Sequence, residues 1–505
     1  MSTSTFFSFA TFQPGGETSE SLLPLHQNQF PKTSNNYSML RRLTLIIAIS
    51  CALNPAALSA QQKTIDWDAL AKEGQAILAD YLRINTTNPP GNEMVAARFL
   101  KGILAKEGIE AQILDSADLG GNRANLYARL KGKGSRKAIA LVHHMDVVTA
   151  TPSQWSVDPF SGEVKDGYIW GRGAIDMKGE AVAHLMAMVA LKRSGAALNR
   201  DIVFIANADE EFTSTGGLTF VKNHADLLKD VEYIITEATE NSVVDGKVKY
   251  FAVGVAEKRT FWQKLTVKGI PSHGSRPTRN NPVPRLVAAL DKIAKYETPI
   301  HVTPGVDKYF RDIARLYAEP QRSWLSDVTK AMSNPAAREW ILNDVYWNAY
   351  LRNTISLTGL SGSSKTNVIP PEATAEIDIR LLPDANPAEV LATLQRIVGD
   401  TAVHWSTILE PKTPLESPID TDLFRAIERA AKERAPDAFV TTPMQTGATD
   451  RPTYRKLGIV TYAIDPFLTE QAERQKGVHG NNERLSIANV GFGIKYVYDI
   501  LRYVQ

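Results

Sequence analysis

The sequence predicts an α/β protein: a central mixed sheet flanked by helices and interrupted by an inserted βαββαβ unit. Three observations carry this. Ala138-Ile139-Ala140-Leu141-Val142 and Ile202-Val203-Phe204-Ile205-Ala206 are continuous apolar runs, as expected of strands covered on both faces. Between them, Met177 to Ser194 repeats apolar residues at helical spacing, with Val182, Leu185, Met186 and Val189 on one face. Further on, strands and helices follow in the order βαββαβ between Thr260 and Ile408.

Taken in order, Asp66 to Leu82 and Glu93 to Lys106 read as helices and Ala124 to Leu130 as a strand. The two apolar strands and the helix between them come next. Tyr233 to Ile235 reads as a third buried strand. In the inserted unit, Thr260 to Lys268 alternates like a half-exposed strand and Pro282 to Lys295 is helical. Asn353 to Leu360 and Ala373 to Leu382 are strands, Pro387 to Val398 a helix, and Ala402 to Ile408 a strand, which is the order of a ferredoxin-like module.

An insertion of about 301–352 separates the first helix of this module from its second strand. It holds Trp324, Trp340, Tyr346 and Trp347. A helical pair packed on the lid is the plain reading, and a wall for an apolar substrate group the sharper one. After Pro411 the chain returns to the main sheet, with a helix at Thr421 to Glu433. The expected organisation is therefore an extension and leader at 1–60, a main domain in two parts at 61–256 and 412–505, and a lid at 257–411.

Composition narrows the function. A net charge of +2 over 505 residues gives no basic surface for nucleic acid or an anionic membrane. Cys51 is the one cysteine, so no intrachain disulfide forms. Arg41-Arg42, the apolar stretch Leu43 to Ile49 and Ala57-Leu58-Ser59-Ala60 have the layout of a secretory signal at about 39–60, with Met39 as the expected start. The apolar stretch is too short to span a bilayer. Ala48-Ile49-Ser50-Cys51 loosely resembles a lipoprotein cleavage site but lacks its leading Leu. A secreted or periplasmic protein without a lipid anchor is expected.

The chemistry resides in a few short motifs. His144-Met145-Asp146 places an imidazole and a carboxylate on one side of an extended segment, so Asp146 can orient the His144 ring. Gly171-Arg172-Gly173-Ala174-Ile175-Asp176-Met177-Lys178-Gly179 is a glycine-rich loop that delivers Asp176 to a crowded centre. Asp209-Glu210-Glu211 sets three acids after a buried strand, where a cation is the natural counter-charge. Glu237 follows another strand, with Glu240 competing for its place, and His479 stands in Val-His-Gly-Asn-Asn-Glu.

Two imidazoles and three carboxylates suit a pair of zinc ions bridged by one carboxylate, and the same donors accept cobalt or manganese. Glu210 is then the spare carboxylate that handles a proton. His273, in Ser272-His273-Gly274, reads as a donor to an oxyanion. Asn367 and Arg380 lie on lid strands, where Arg suits a carboxylate, and Gly447 lies in a small-residue loop able to touch the substrate backbone.

From about Ile65 onward these motifs resemble the dinuclear-zinc aminoacylase/carboxypeptidase family of metallopeptidase clan MH. The resemblance implies that His144 and Glu237 ligate one zinc, Glu211 and His479 the other, and Asp176 both. It makes Asp146 the partner of His144, Glu210 the general base acting through a metal-bridging hydroxide, and Asn367 and Arg380 the contacts of a substrate carboxylate. It implies a homodimer through the lid, in which His273 completes the partner's site. The long insertion and Trp155-Ser156-Val157-Asp158-Pro159-Phe160-Ser161-Gly162 resemble the branch of carboxypeptidase S and N-acyl-amino-acid hydrolases. The expected activity is hydrolysis of an amide next to a free carboxylate, in a peptide or N-acyl amino acid. An aminopeptidase of the same clan and a silent binding protein on this fold are the rival readings.

Overall fold

A computed structural model of the protein describes residues 63–505, apart from 238, 413–415 and the side chains at 471, 475 and 476. The expected leader at 39–60, with Cys51, lies outside the described residues. Gln62–Gln505 forms one compact unit.

Eight strands of the main sheet lie side by side. Their order is Ala111–Leu114, Asn125–Leu130, Ile202–Asn207, Ala138–His144, Val231–Thr236, Val460–Ile464, Lys247–Gly254 and Phe439–Thr441, with Ser242–Val244 paired off Lys247–Gly254. Ala138–His144 is parallel to both its neighbours, and Val231–Thr236 is parallel to Val460–Ile464. Antiparallel pairs at Asn125–Leu130 and Lys247–Gly254 make the sheet mixed, as expected. The central strands are buried on both faces, which is why they read as unbroken apolar runs.

Lys178–Ser194 differs from its prediction in one respect. The sequence marks one apolar face, yet nearly every side chain of the helix is buried. The cause is coverage: Trp67–Leu82 and Ile487–Tyr503 both pack on it, and His184 and Glu180 are drawn inside with it. The Asp66 side chain starts Trp67–Leu82 by accepting the Ala69 N–H at 3.0 Å.

The inserted unit is a four-stranded antiparallel sheet ordered Thr354–Ser361, Glu372–Leu381, Arg259–Lys268, Val403–Leu409. Pro282–Ala294 and Pro387–Val398 cover one face, burying Leu286, Ile293 and Leu394 against Phe261, Leu265 and Ile377. Each helix opens with an Asn cap followed by Pro, at Asn281 and Asn386.

The insertion is richer than a helical pair. Pro304–Ile313, Gln321–Ser326, Val328–Ala331, Pro335–Asn343 and Val345–Tyr350 are five short helices around their own core. Trp340 lies 5.3 Å from Trp347 and 5.9 Å from Trp324, ring centre to ring centre. These aromatics pack on one another and on Met444 of the main part, so packing accounts for them. Among the described residues, no helix is long and apolar enough to cross a membrane.

Candidate active site

Three neighbouring parallel strands end on one edge of the main sheet. His144 ends Ala138–His144, Glu210 and Glu211 follow Ile202–Asn207, and Glu237 follows Val231–Thr236. Residues far apart in sequence therefore meet at the carboxyl ends of adjacent strands. Asp176 joins them from the loop before Lys178–Ser194, and His479 from the segment after Val460–Ile464.

The five expected ligands converge. His144 Nε2 lies 3.1 Å from Asp176 Oδ1 and 3.5 Å from Glu237 Oε2. His479 Nε2 lies 3.3 Å from Asp176 Oδ2 and 3.1 Å from Glu211 Oε2. Asp176 thus turns one oxygen to each imidazole. His144, Glu210 and Glu237 form one grouping close enough to hold an ion, and His144, Asp176 and Glu211 another. Glu240, the competitor of Glu237, points instead toward Arg474, 3.5 Å away.

Buried hydrogen bonds hold this arrangement. Glu483, four residues after His479, is fully buried under the loop that carries Asp176. Its Oε1 accepts the N–H of Ile175 at 2.8 Å and of Asp176 at 3.0 Å; its Oε2 accepts Gly173 N–H and Arg172 Nη1, both at 2.8 Å. Gly173 has φ +89°, and a Cβ there would lie 2.7 Å from Val147 Cγ1, so the loop needs glycine at that point.

Asp146 works differently from its prediction. The nearer acceptor for His144 Nδ1 is the main-chain oxygen of Asp146, at 2.9 Å, with Oδ1 at 3.6 Å. The Asp146 carboxylate is engaged elsewhere. It accepts the N–H groups of Glu210 and Glu211, each at 3.0 Å, and Asn88 Nδ2 at 2.7 Å. The residue thus sets the His144 ring with its backbone and the Glu210-Glu211 turn with its side chain. Asp209, the first acid of the three, is bound by Arg123, Asn88 and Thr213, which leaves Glu210 and Glu211 facing the cavity.

The electrostatics show crowded negative charge. Burial and the neighbouring Glu237 push Glu210 well above the usual carboxylate range. Burial and Asp176 push Glu211 up to about 7. Burial opposes the ionised form of Asp176 too, but hydrogen bonds from His144 and His479 hold it well below its ordinary value. Bonds to Asp176 and Glu211 raise His479 to about 10. Glu211 Oε1 is buried with no hydrogen-bond partner. A carboxylate-rich pocket with two imidazoles and an orphaned carboxylate oxygen fits divalent cations.

Gly447 and Glu210 line a cavity of about 250 Å³ together with Asp176, Glu211, Glu237 and His479. The remaining predicted residues stand apart from its wall. His273 is exposed on the short ribbon Ser272–His273, paired with Val368–Ile369, and its Nδ1 lies 2.8 Å from Ser275 Oγ. Asn367 is next to that ribbon, its main-chain oxygen accepting Gly274 N–H at 2.7 Å. The Arg380 guanidinium is engaged by both oxygens of Asp378, at 2.8 and 3.1 Å.

Sequence reading missed Glu483, Asn88, Glu180 and Arg474. Glu483 had a signal, since it closes the motif that contains His479. Glu180 also had one, four residues beyond Asp176 at the start of a helix. Asn88 had none, because Asp146 and Asp209 come from remote segments, and Arg474 had none, because Asp465, nine residues before it, stands at no recurring spacing.

Comparison with known proteins identifies the family. The family model described as peptidase family M20/M25/M40 matches residues 140–503. A probable carboxypeptidase S-like protein of Dictyostelium discoideum is 29% identical over 73% of this chain and 72% of its own length. The human N-fatty-acyl-amino acid synthase/hydrolase PM20D1 is 27% identical over 72% of this chain and 73% of its own. Among solved structures, an M20 metallo-carboxypeptidase of Sulfolobus solfataricus superposes with a TM-score of 0.66 at 20% identity, covering 86% of this chain and 99% of that one. Human carnosine dipeptidase 1 does so at 0.59 and 18%, covering 87% and 98%. With the family model covering most of the chain, this protein belongs to peptidase family M20/M25/M40.

Proposed function

We propose that this M20 hydrolase is an exported, zinc-dependent enzyme that cleaves an amide bond next to a free carboxylate. Its substrates are dipeptides, C-terminal residues of short peptides or N-acyl amino acids. The observation that carries the reading is Asp176 set between His144 and His479, with Glu210 in the same cavity. His144 and Glu237 would hold one ion, His479 and Glu211 the other, and Asp176 both.

Two zinc ions bound there supply Lewis-acid polarisation of the scissile carbonyl and a lowered pKa for the attacking water; cobalt or manganese suits the same donors. Glu210 takes the proton that the water sheds and returns it to the amide nitrogen as the bond breaks. Its raised proton affinity in this buried, acidic setting suits that exchange. Asp146, through Glu210 N–H, keeps that carboxylate in place. The Gly447 loop offers backbone to the substrate, while Asn367 and Arg380 take its carboxylate, Arg380 exchanging Asp378 for the ligand.

His273 serves the second subunit of a homodimer joined through the lid edge, where it steadies the oxyanion. Its exposure, and the solvent-facing Leu357 and Leu360 on the edge strand, support that arrangement. The lid comprises residues 257–411 and the main domain the rest of the described chain.

Release of free amino acid from a panel of dipeptides and N-acyl amino acids, with zinc added, tests the reading. Glu210→Gln should lower the rate by roughly 10²–10⁴-fold while zinc stoichiometry stays at two per chain. Equal rates in wild type and variant would remove Glu210 as the base.

A further inference from the structure

The cavity wall contains three charged residues that neither the metal-type cluster nor Glu210 explains: Glu180, Glu240 and Arg474. Glu180 is 1% exposed, and its Oε2 is buried without a hydrogen-bond partner although the residue borders the cavity. Arg474 is near enough to ease its charge but gives it no hydrogen bond. That guanidinium bonds Asp465 Oδ2 at 2.6 Å and only approaches Glu240 Oε1, at 3.5 Å, so its direct partner is Asp465. Glu180 also stands outside both ion-holding groupings among the described residues. A buried carboxylate oxygen with no donor is costly, and Glu180 belongs to the wall of the cavity that holds Glu210.

From this we infer that Glu180, aided by Glu240, binds the ammonium group of an aminoacyl substrate, so that the enzyme prefers dipeptides with a free amino terminus to uncharged acyl amino acids. The inference rests on the amide-hydrolase reading above. In that reading the substrate carboxylate goes to Asn367 and Arg380, which are not on the cavity wall, and the acyl half enters the cavity. Thr239, Gln445 and Thr449 line it with the acids. At about 250 Å³ it has room for one aminoacyl group, and a hydrocarbon chain would cover Glu180 without giving it a donor. This separates the chain from relatives named for fatty-acyl substrates. A site built to bind a substrate N–H discriminates strongly against an analogue that lacks it.

The test compares alanyl and N-propionyl derivatives of glycine, leucine and lysine, which differ only in ammonium against hydrogen. The full zinc-loaded chain should show kcat/KM at least about tenfold higher for the alanyl member of each pair. In Glu180→Gln the ratio should fall toward one through a raised KM for the alanyl substrates. Glu240→Gln, at a half-exposed site where folding is not at risk, should lower the ratio part of the way. Wild type that cleaves the propionyl substrates equally well overturns the inference alone, as does an unchanged ratio in both variants. Wild type that cleaves neither class overturns the amide-hydrolase reading and this inference together.

Discussion

Glu483 Oε1 accepts the main-chain N–H of Asp176 at 3.0 Å, so a carboxylate from the C-terminal part of the chain fixes the residue that stands between the two imidazoles. The same glutamate follows His479 by four residues, and so it couples the loop of Asp176 to the segment of His479.

Replacing that carboxylate with an amide turns an NH₂ toward N–H donors. Glu483→Gln should therefore weaken metal affinity by roughly 10–100-fold while leaving the fold intact at room temperature. Zinc titration with a chelating competitor measures this directly. Unchanged affinity would mean that the loop keeps its shape without Glu483.

Asp176 should be the residue on which both ions depend. Asp176→Asn is expected to lower bound metal from two ions per chain to one or none, whereas Glu237→Gln should leave the His479–Glu211 position loaded. Metal counting on dialysed protein distinguishes the two. Two ions retained by Asp176→Asn would end the bridging assignment.

The dimer proposal predicts complementation. His273→Ala and Glu210→Gln should each be inactive as pure proteins, yet mixed and allowed to exchange subunits they should recover activity, since some mixed dimers carry one intact site. No recovery, with exchange verified by mass, would place His273 in its own chain's site or outside catalysis.

His184 makes acid stability testable away from the metal-type residues. It is fully buried, neither ring nitrogen has a partner, and burial lowers its pKa from 6.5 to about 3. Between those values the unfolded chain binds a proton that the folded chain refuses. Stability is therefore lost as pH falls from about 6.5 toward about 3, by up to about 1.4 kcal/mol per pH unit from this group. His184→Leu should make the decline in the urea midpoint between pH 7 and pH 5 less steep. Parallel declines would show that His184 does not carry it.

The contrast between His144 and His273 shows what could be read in advance. His144, Glu210, Glu211 and Glu237 follow apolar runs that are unmistakable as buried strands, so their convergence follows from the parallel sheet. Asp176 was marked by its glycines, because a crowded turn requires them. Val460–Ile464 and Lys247–Gly254 carried no comparable mark. The first is five residues long, and its place beside Val231–Thr236 is a matter of long-range pairing that no local pattern encodes. Glu483 and the side chain of Asp146 bind main-chain N–H groups, which have no sequence signature of their own. Trp340 and Trp347 left packing on the lid and a substrate wall both open, because composition cannot distinguish aromatics that pack on one another from aromatics that face a ligand.

The position of Val460–Ile464 also governs how the protein can be made. Its sheet neighbours, Val231–Thr236 and Lys247–Gly254, leave the ribosome some two hundred residues earlier. Until the last part of the chain emerges, they flank an open slot with unpaired backbone groups on both sides. A growing chain therefore waits with its sheet divided, and a transcript cut short of this strand yields two sticky edges in place of a smaller enzyme. Late arrival of a central strand makes completion of synthesis the step that commits this protein to its fold.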